Sequence, residues 1–389
     1  MRFKVLSLAL LLAVPLFAEV KWRVENSNFL LSQASYIPLE DEQYTYDYNR
    51  FRLRVDWQKD NYFATAIADG VSYIGSDFTD SRSFGFLKQV RSDTPFRTQT
   101  SFNDFDNGSA YAKLYRLYVG YDDGKSRVLA GLQNINIGVG QIWTPSNLFN
   151  PKNTYALEPD ETFPVLALYG SHYVTEKSQL YGAVSQREDH SFKYAGGYKH
   201  TFESTEISLN VIHSEQTTMF GYTIEGDLWD SGVEVRSEGA YIKSDLNTLG
   251  NMNLAGTKNE VEFFQGLVGA DYAFQNGLNL TVEGLYSSEV FTYLDAVSNL
   301  NGELNGNMTL SHFYLGGMMS YDFSIYLSGA LLYVESFNDD NSRFISPTLT
   351  YTLNDNNQFN MGALINSGSD SSEFGMIGNS YYLKYLLSF

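Results

Sequence analysis

From Arg50 to Trp57 the chain alternates strictly. Phe51, Leu53, Val55 and Trp57 are apolar, and Arg50, Arg52, Arg54 and Asp56 stand between them. A period of two places the two sets on opposite faces of a β-strand. The same alternation recurs along the chain and predicts eighteen strands, with sixteen the nearest alternative. They cover about 20–37, 46–57, 62–74, 109–121, 126–137, 165–174, 178–186, 191–201 and 205–213. The rest cover 218–227, 231–243, 260–274, 278–289, 309–322, 324–336, 343–353, 358–366 and 379–389. The first is the weakest and reads equally as an arm outside the sheet.

The connections sort by parity. After even-numbered strands all are short, around Lys59, Asp123, Glu176, Glu203, Leu228, Asn276, Phe323 and Asn356. Every long one follows an odd-numbered strand: 75–108, 138–164, 244–259, 290–308 and 367–378. A sandwich or propeller has no reason to segregate loops this way. A transmembrane antiparallel up-and-down β-barrel does, with short periplasmic turns and long extracellular loops. The last strand, Tyr381-Tyr382-Leu383-Lys384-Tyr385-Leu386-Leu387-Ser388-Phe389, puts Tyr385, Leu387 and Phe389 on one face. It resembles the closing strand of Gram-negative outer-membrane proteins, and the resemblance implies that these residues form the assembly signal.

The N-terminus agrees. Arg2 and Lys4 precede an apolar run, Val5 to Phe17, that is too short to span a bilayer and ends at Ala18. Residues 1–18 therefore read as a signal peptide, and 19–389 as a single barrel domain with no room for a plug domain before it. Tyr (29) and Phe (27) are abundant and Cys is absent, so aromatic girdles are supplied and disulfides are not. The net charge of −19 argues against nucleic acid as a partner.

Charge is costly on a lipid face, about 2–4 kcal/mol near the midplane, so the alternation fixes which residues point inward. Arg50, Arg52 and Arg54 form a ladder on one inner wall. Arg116 faces in opposite Tyr115, Leu117 and Val119. Glu234, Arg236 and Glu238 face in from the eleventh strand, Asp271 from the twelfth and Glu283 from the thirteenth. These are the candidate pore-lining residues, with two readings: a fixed field along a water-filled passage, or a filled interior with the arginines paired to acids.

One long connection is unlike the others. Residues 138–151 read Gly-Val-Gly-Gln-Ile-Trp-Thr-Pro-Ser-Asn-Leu-Phe-Asn-Pro, and Glu158-Pro159-Asp160-Glu161 follows. Trp143, Leu148 and Phe149 are too apolar for a loop in water and are expected to pack on the barrel wall. With Gln133 and Ile135 before it, the stretch resembles a motif of porin-like outer-membrane barrels, with Asn147 standing where that motif has Asp. The resemblance implies an inward-folded constriction loop carrying Trp143, Asn147, Phe149, Glu158, Asp160 and Glu161. The three acids would then oppose the arginine ladder across a narrow passage.

Catalytic chemistry has little to stand on. His172 sits beside Ser171, but neighbours in a strand point to opposite faces. The chain has no His-Glu-x-x-His and no Gly-x-Ser-x-Gly. Asp339-Asp340 and Asp355 read as turns. No enzyme, cofactor or metal is expected. The reading is a passive outer-membrane channel for small hydrophilic solutes. The outer-membrane lipid, lipopolysaccharide and the barrel assembly machinery are its partners, and homotrimer formation is left open. The alternatives are a transporter of hydrophobic molecules with an N-terminal hatch and a structural or adhesive barrel.

Overall fold

The computed structural model describes residues 19–246, 258–338 and 341–389. The expected signal peptide, the Asp339-Asp340 turn and most of the 244–259 loop lie outside the described residues. Eighteen strands build the wall. They are β1 (Glu19–Ala34), β2 (Gln43–Lys59), β3 (Tyr62–Ile74), β4 (Gly108–Asp122), β5 (Ser126–Gln133), β6 (Val165–Thr175), β7 (Ser178–Gln186), β8 (Phe192–Phe202) and β9 (Thr205–His213). Then follow β10 (Thr217–Asp227), β11 (Val233–Asp245), β12 (Glu260–Ala273), β13 (Asn279–Ser287), β14 (Phe313–Asp322), β15 (Leu327–Phe337), β16 (Ser342–Asn354), β17 (Asn357–Ser367) and β18 (Ser380–Ser388). A nineteenth, three-residue strand at Asn103–Phe105 pairs only with β4.

Each strand pairs antiparallel with its sequence neighbours. β1 also pairs with β18, from Glu25↔Ser388 to Ser32↔Tyr381, and closes the ring. Residues 19–34 are thus a wall strand, which settles the count at eighteen and leaves no arm. Closure leaves no unpaired edge, the condition for a sheet to sit in hydrocarbon. Phe389 completes it: its backbone and that of Val24 exchange hydrogen bonds of 2.9 and 3.0 Å.

The alternation explains the two faces. Phe51, Leu117, Val119, Val268 and Leu383 are exposed on the outside, while Arg50, Arg236 and Glu283 are buried inside. Exposed aromatics ring both ends: Tyr62, Phe202, Phe323 and Phe389 at the short turns, and Phe192, Tyr241 and Phe313 near the loops. Connections after even strands span at most five residues, as at 228–232, and all the long ones follow odd strands.

Two local departures matter. The β3–β4 register skips between Ile67↔Arg116 and Ala68↔Leu114, so Tyr115 is a bulged extra residue. Tyr115 is therefore buried inside, correcting its expected outward placement, and both it and Arg116 reach the interior. Second, β5 stops at Gln133 rather than running on to Ile137. Gly131 has φ +127°, and a Cβ there would stand 2.3 Å from the Leu117 carbonyl oxygen. The chain leaves the wall here, and Ile135 and Ile137 turn into a buried cluster with Leu148, Phe149, Ile212 and Ile242.

The mouth is roofed by loop structure. Residues 75–107 carry α1 (Ser76–Thr79) and α2 (Arg82–Leu87), and Phe78 stacks on Tyr46 of β2 at 3.8 Å. Residues 288–312 carry α3 (Tyr293–Ser298). These two loops meet. The Arg91 amide donates to Asn301 Oδ1 (3.0 Å), Asn301 Nδ2 donates to the Gln89 carbonyl (3.1 Å), and Arg187 pairs with both Asp93 and Glu303.

Candidate functional site

The site is the connection 134–164 and the walls it touches. It crosses the barrel and is held at both ends by carboxylates, in opposite senses. β2 and β11 stand half a ring apart, on opposite walls.

At the far wall the carboxylates belong to the barrel and the donors to the loop. Glu238 of β11 accepts from the amides of Val139 (2.8 Å), Gly140 (3.0 Å) and Ser146 (2.7 Å), and from the Ser146 hydroxyl (2.7 Å). Glu283 of β13 accepts from the amides of Gln141 (2.6 Å), Ile142 (2.8 Å) and Trp143 (3.4 Å), and from Arg236 (3.2 Å). Both glutamates are fully buried. Successive amides converging on one carboxylate form a nest that offsets the loss of water. Gly140 is required by this turn, because a Cβ there would lie 1.8 Å from the Trp143 carbonyl oxygen.

The apolar residues of the turn fill the space beside these glutamates. Ile142 and Trp143 pack with Leu267, Leu285 and Tyr314. Gly316 on β14 leaves room for them: a Cβ there would meet Ile142 at 2.4 Å and Trp143 at 2.9 Å. Asn147 is wholly buried. It donates to Asn136 Oδ1 (2.8 Å) and the Asn150 carbonyl (2.9 Å), and accepts from the amides of Phe149 and Asn150 (both 3.1 Å). An aspartate could not make those two donations. Asn147 therefore braces the turn and is shielded from solute. Lys193 of β8 lies over the Phe149 ring at 5.3 Å and donates to the Leu148 carbonyl at 2.8 Å.

At the near wall the roles reverse, the loop giving carboxylates and the barrel cations. Glu158 takes two bonds from Arg50 (2.6 and 3.0 Å) and one from Lys384 of β18 (3.0 Å). Glu161 takes two from Arg52 (2.8 and 2.9 Å), whose remaining face is held by Asp69 (2.7 and 2.8 Å). Arg54 pairs with Asp56 at 2.6 Å. Tyr115 lies beneath both Arg52 (4.1 Å) and Arg116 (4.0 Å), and Arg116 donates to the Thr162 carbonyl (3.1 Å). Burial raises the Glu161 carboxyl, but the Arg52 hydrogen bonds and the Arg50 and Arg52 charges outweigh it and hold it down to about 2.

The arginine ladder is therefore not an open positive stripe opposed by acids across a gap. Arg50, Arg116, Arg236 and Glu283 are buried beneath the loop, and the acids sit directly on the ladder. Opposite charges confined away from water gain more from contact than from separation. Asp160 alone of the three loop acids is exposed, with no ion pair among the described residues. Glu234 is half-buried on the inner face of β11. Arg236 pairs with both Asp271 and Glu283.

Between the crossing loop and the roof lies a cavity of 760 Å³. Tyr46, Tyr48, Tyr73 and Tyr382 form one side, residues 148–164 the floor, and residues 86–93 and 300–309 the cover. Outside this region His172 bonds Ser126 (2.8 Å) on the neighbouring strand, not Ser171. No group of His, Cys, Asp and Glu that could hold a metal ion occurs among the described residues.

No family model matches the chain, and no curated protein matches it in sequence. Solved structures match it in fold. OccAB1 of Acinetobacter baumannii superposes with a TM-score of 0.62 at 11% identity, over 96% of both chains. The outer membrane protein OpdK of Pseudomonas aeruginosa gives 0.56 at 8% identity, over 95% of this chain and 99% of its own. OpdK solved with vanillate gives 0.56 at 9% identity, over 95% and 98%. At such identities the likeness is one of fold.

Proposed function

We propose that the chain is an outer-membrane channel for passive diffusion of small hydrophilic solutes, with the connection 134–164 as its constriction. The observation that carries this reading is the loop pinned on both walls of an eighteen-stranded ring. A ring of this size ordinarily encloses an aqueous passage. A loop drawn across it narrows the passage and leaves a vestibule above. The exposed apolar band and its aromatic rims suit a Gram-negative outer membrane, and the strand parity then puts the short turns in the periplasm. Tyr385, Leu387 and Phe389 act in assembly in the same reading.

A closed eighteen-stranded ring with a loop drawn across it is the geometry of a channel. Among the described residues, the stretch 19–34 that a hatch would draw on belongs to the wall, which favours the channel over the hatch-type transporter. A small solute such as the vanillate of the OpdK structure fits the scale of the vestibule.

Purified chain in a planar bilayer is expected to give steady open steps. In a salt gradient, changing Arg50, Arg52 and Arg54 together to Ala strands their carboxylate partners and shifts the reversal potential toward cation selectivity. Absence of steps, or an unchanged reversal potential, contradicts the reading.

A further inference from the structure

Loop 368–379, between β17 and β18, also turns inward, and its contacts are of another kind. Gly368 and Gly375 allow the turn: a Cβ at Gly368 would meet Ser372 Oγ at 2.1 Å, and one at Gly375 would meet the Ser369 carbonyl at 2.0 Å. Phe374 is buried between Phe344 of β16 (5.8 Å) and Tyr155 of the crossing loop (5.1 Å). The Phe374 amide donates to Ser342 Oγ (3.3 Å), and Leu39 of the β1–β2 connection donates to the Met376 carbonyl (3.0 Å). Tyr155 in turn accepts from the Trp143 indole at 3.3 Å. The loop therefore buttresses the crossing loop from the vestibule side.

Its one inward carboxylate is Glu373, which lines the vestibule. A single oxygen, Oε2, accepts from Tyr314 of β14 (2.6 Å) and Ser336 of β15 (2.9 Å). No cation lies within ion-pair distance among the described residues. The titratable groups facing it are the Tyr314 and Tyr155 phenols, uncharged between pH 5 and 9. The elements behind contribute only Ser336, Ser342, Phe344 and Trp143. The charged pair on the strands behind it, Arg343–Glu335 (3.3 Å), is on the outer face of β15 and β16, and Asp370 is exposed on the same loop. Compare Glu238 and Glu283, which carry four donors each, and Glu158 and Glu161, which carry arginines. Of these five carboxylates, Glu373 has only two donors, both neutral hydroxyls, and no paired cation among the described residues.

We infer that loop 368–379 is a proton-controlled latch on the vestibule, docked while Glu373 is protonated and released when it ionises. Release frees Phe374 from Tyr155 and loosens the crossing loop. Burial raises the Glu373 carboxyl further than the Tyr314 and Ser336 hydrogen bonds lower it, and pushes it up to about 7. The raised value means that the docked loop binds the proton better. Docking is strongest at acid pH and weakens as pH rises toward and through about 7. Against an ordinary carboxylate the difference is roughly 200-fold in the docking equilibrium between pH 4 and pH 8.

The chain has no Cys, so Asp370→Cys gives a single labelling site at the exposed end of the loop. With a nitroxide there, the mobile fraction of the native loop is expected to rise between pH 5 and pH 9, and Glu373→Gln is expected to keep the loop immobile throughout. A spectrum that does not change with pH, or a Glu373→Gln variant that titrates like the native chain, overturns the latch. Conductance is the second arm and rests on the channel reading: fluctuations between two levels should grow with pH in the native chain and not in Glu373→Gln. Absence of conductance at every pH would overturn the channel reading, and the spectra alone would then decide the latch.

Discussion

Glu238→Gln tests the far-wall anchor with the smallest change of shape. In the native chain Oε1 accepts from the Ser146 amide and hydroxyl, and Oε2 from the amides of Val139 and Gly140. Glutamine keeps one accepting oxygen and turns an amide donor toward the other pair. At least one buried amide is left without an acceptor, and two when the new donor faces Val139 and Gly140 rather than Ser146. Each such loss costs about 1–3 kcal/mol, and the neutral side chain recovers part of this because it is cheaper to bury than a carboxylate. A net of about 3 kcal/mol shifts the docking of residues 138–147 by roughly 150-fold. The barrel itself should not be affected, because the backbone pairing of Glu238 with Thr223 and Leu267 does not involve the carboxylate. Single-channel recording in a planar bilayer reads the loop, with thermal melting of the strand signal as the control. The expected result is larger or flickering conductance at an unchanged melting temperature. Native-like traces would refute the argument that Glu238 holds the loop, and a lowered melting temperature would refute its separation from the wall.

Gly140→Ala should act like Glu238→Gln on conductance, because its Cβ would lie 1.8 Å from a backbone oxygen that cannot move without breaking the nest. The near-wall contact has the opposite pH dependence from the Glu373 latch. Glu161 is held low, so its stabilisation is complete above the ordinary carboxylate value and fades as pH falls from about 4.5 toward about 2. Conductance changes traced to this contact should therefore be confined to strongly acid solution, and Glu161→Gln should reproduce them at pH 7. Asn147→Asp should weaken the turn by about 1–2 kcal/mol, since the buried Asn150 carbonyl and the Asn136 side chain lose their donor, read as increased flicker at neutral pH.

The wall was legible because one face of every strand meets lipid. Phe51, Leu53, Val55 and Trp57 fix the phase of β2 with no knowledge of its neighbours, and loop parity needs only connection lengths. The interior was legible in direction but not in partners. Arg50, Arg52, Glu238 and Glu283 all point inward as their alternation requires. Nothing local says that the first two grip the acids of a distant loop and the last two grip its amides. Those contacts join residues 92 to 142 positions apart, and a period of two carries no information about them. Tyr115 was misplaced for a related reason: a bulge inserts one residue and shifts the phase, and its cause lies in the partner strand β3. Gly316 was a usable signal, a glycine on an inner face opposite a loop rich in large apolar residues, but only once Trp143 is known to reach it.

The central claim is that residues 134–164 cross the lumen and narrow it. The most direct measurement is the single-channel conductance of a variant in which residues 139–157 are replaced by a short Gly-Ser linker, compared with the native chain in the same salt. The account predicts steps in both, several-fold larger in the variant, because the far-wall nest and the Trp143 packing are gone while all eighteen wall strands remain. Equal conductance, or a variant that conducts while the native chain does not, would contradict it.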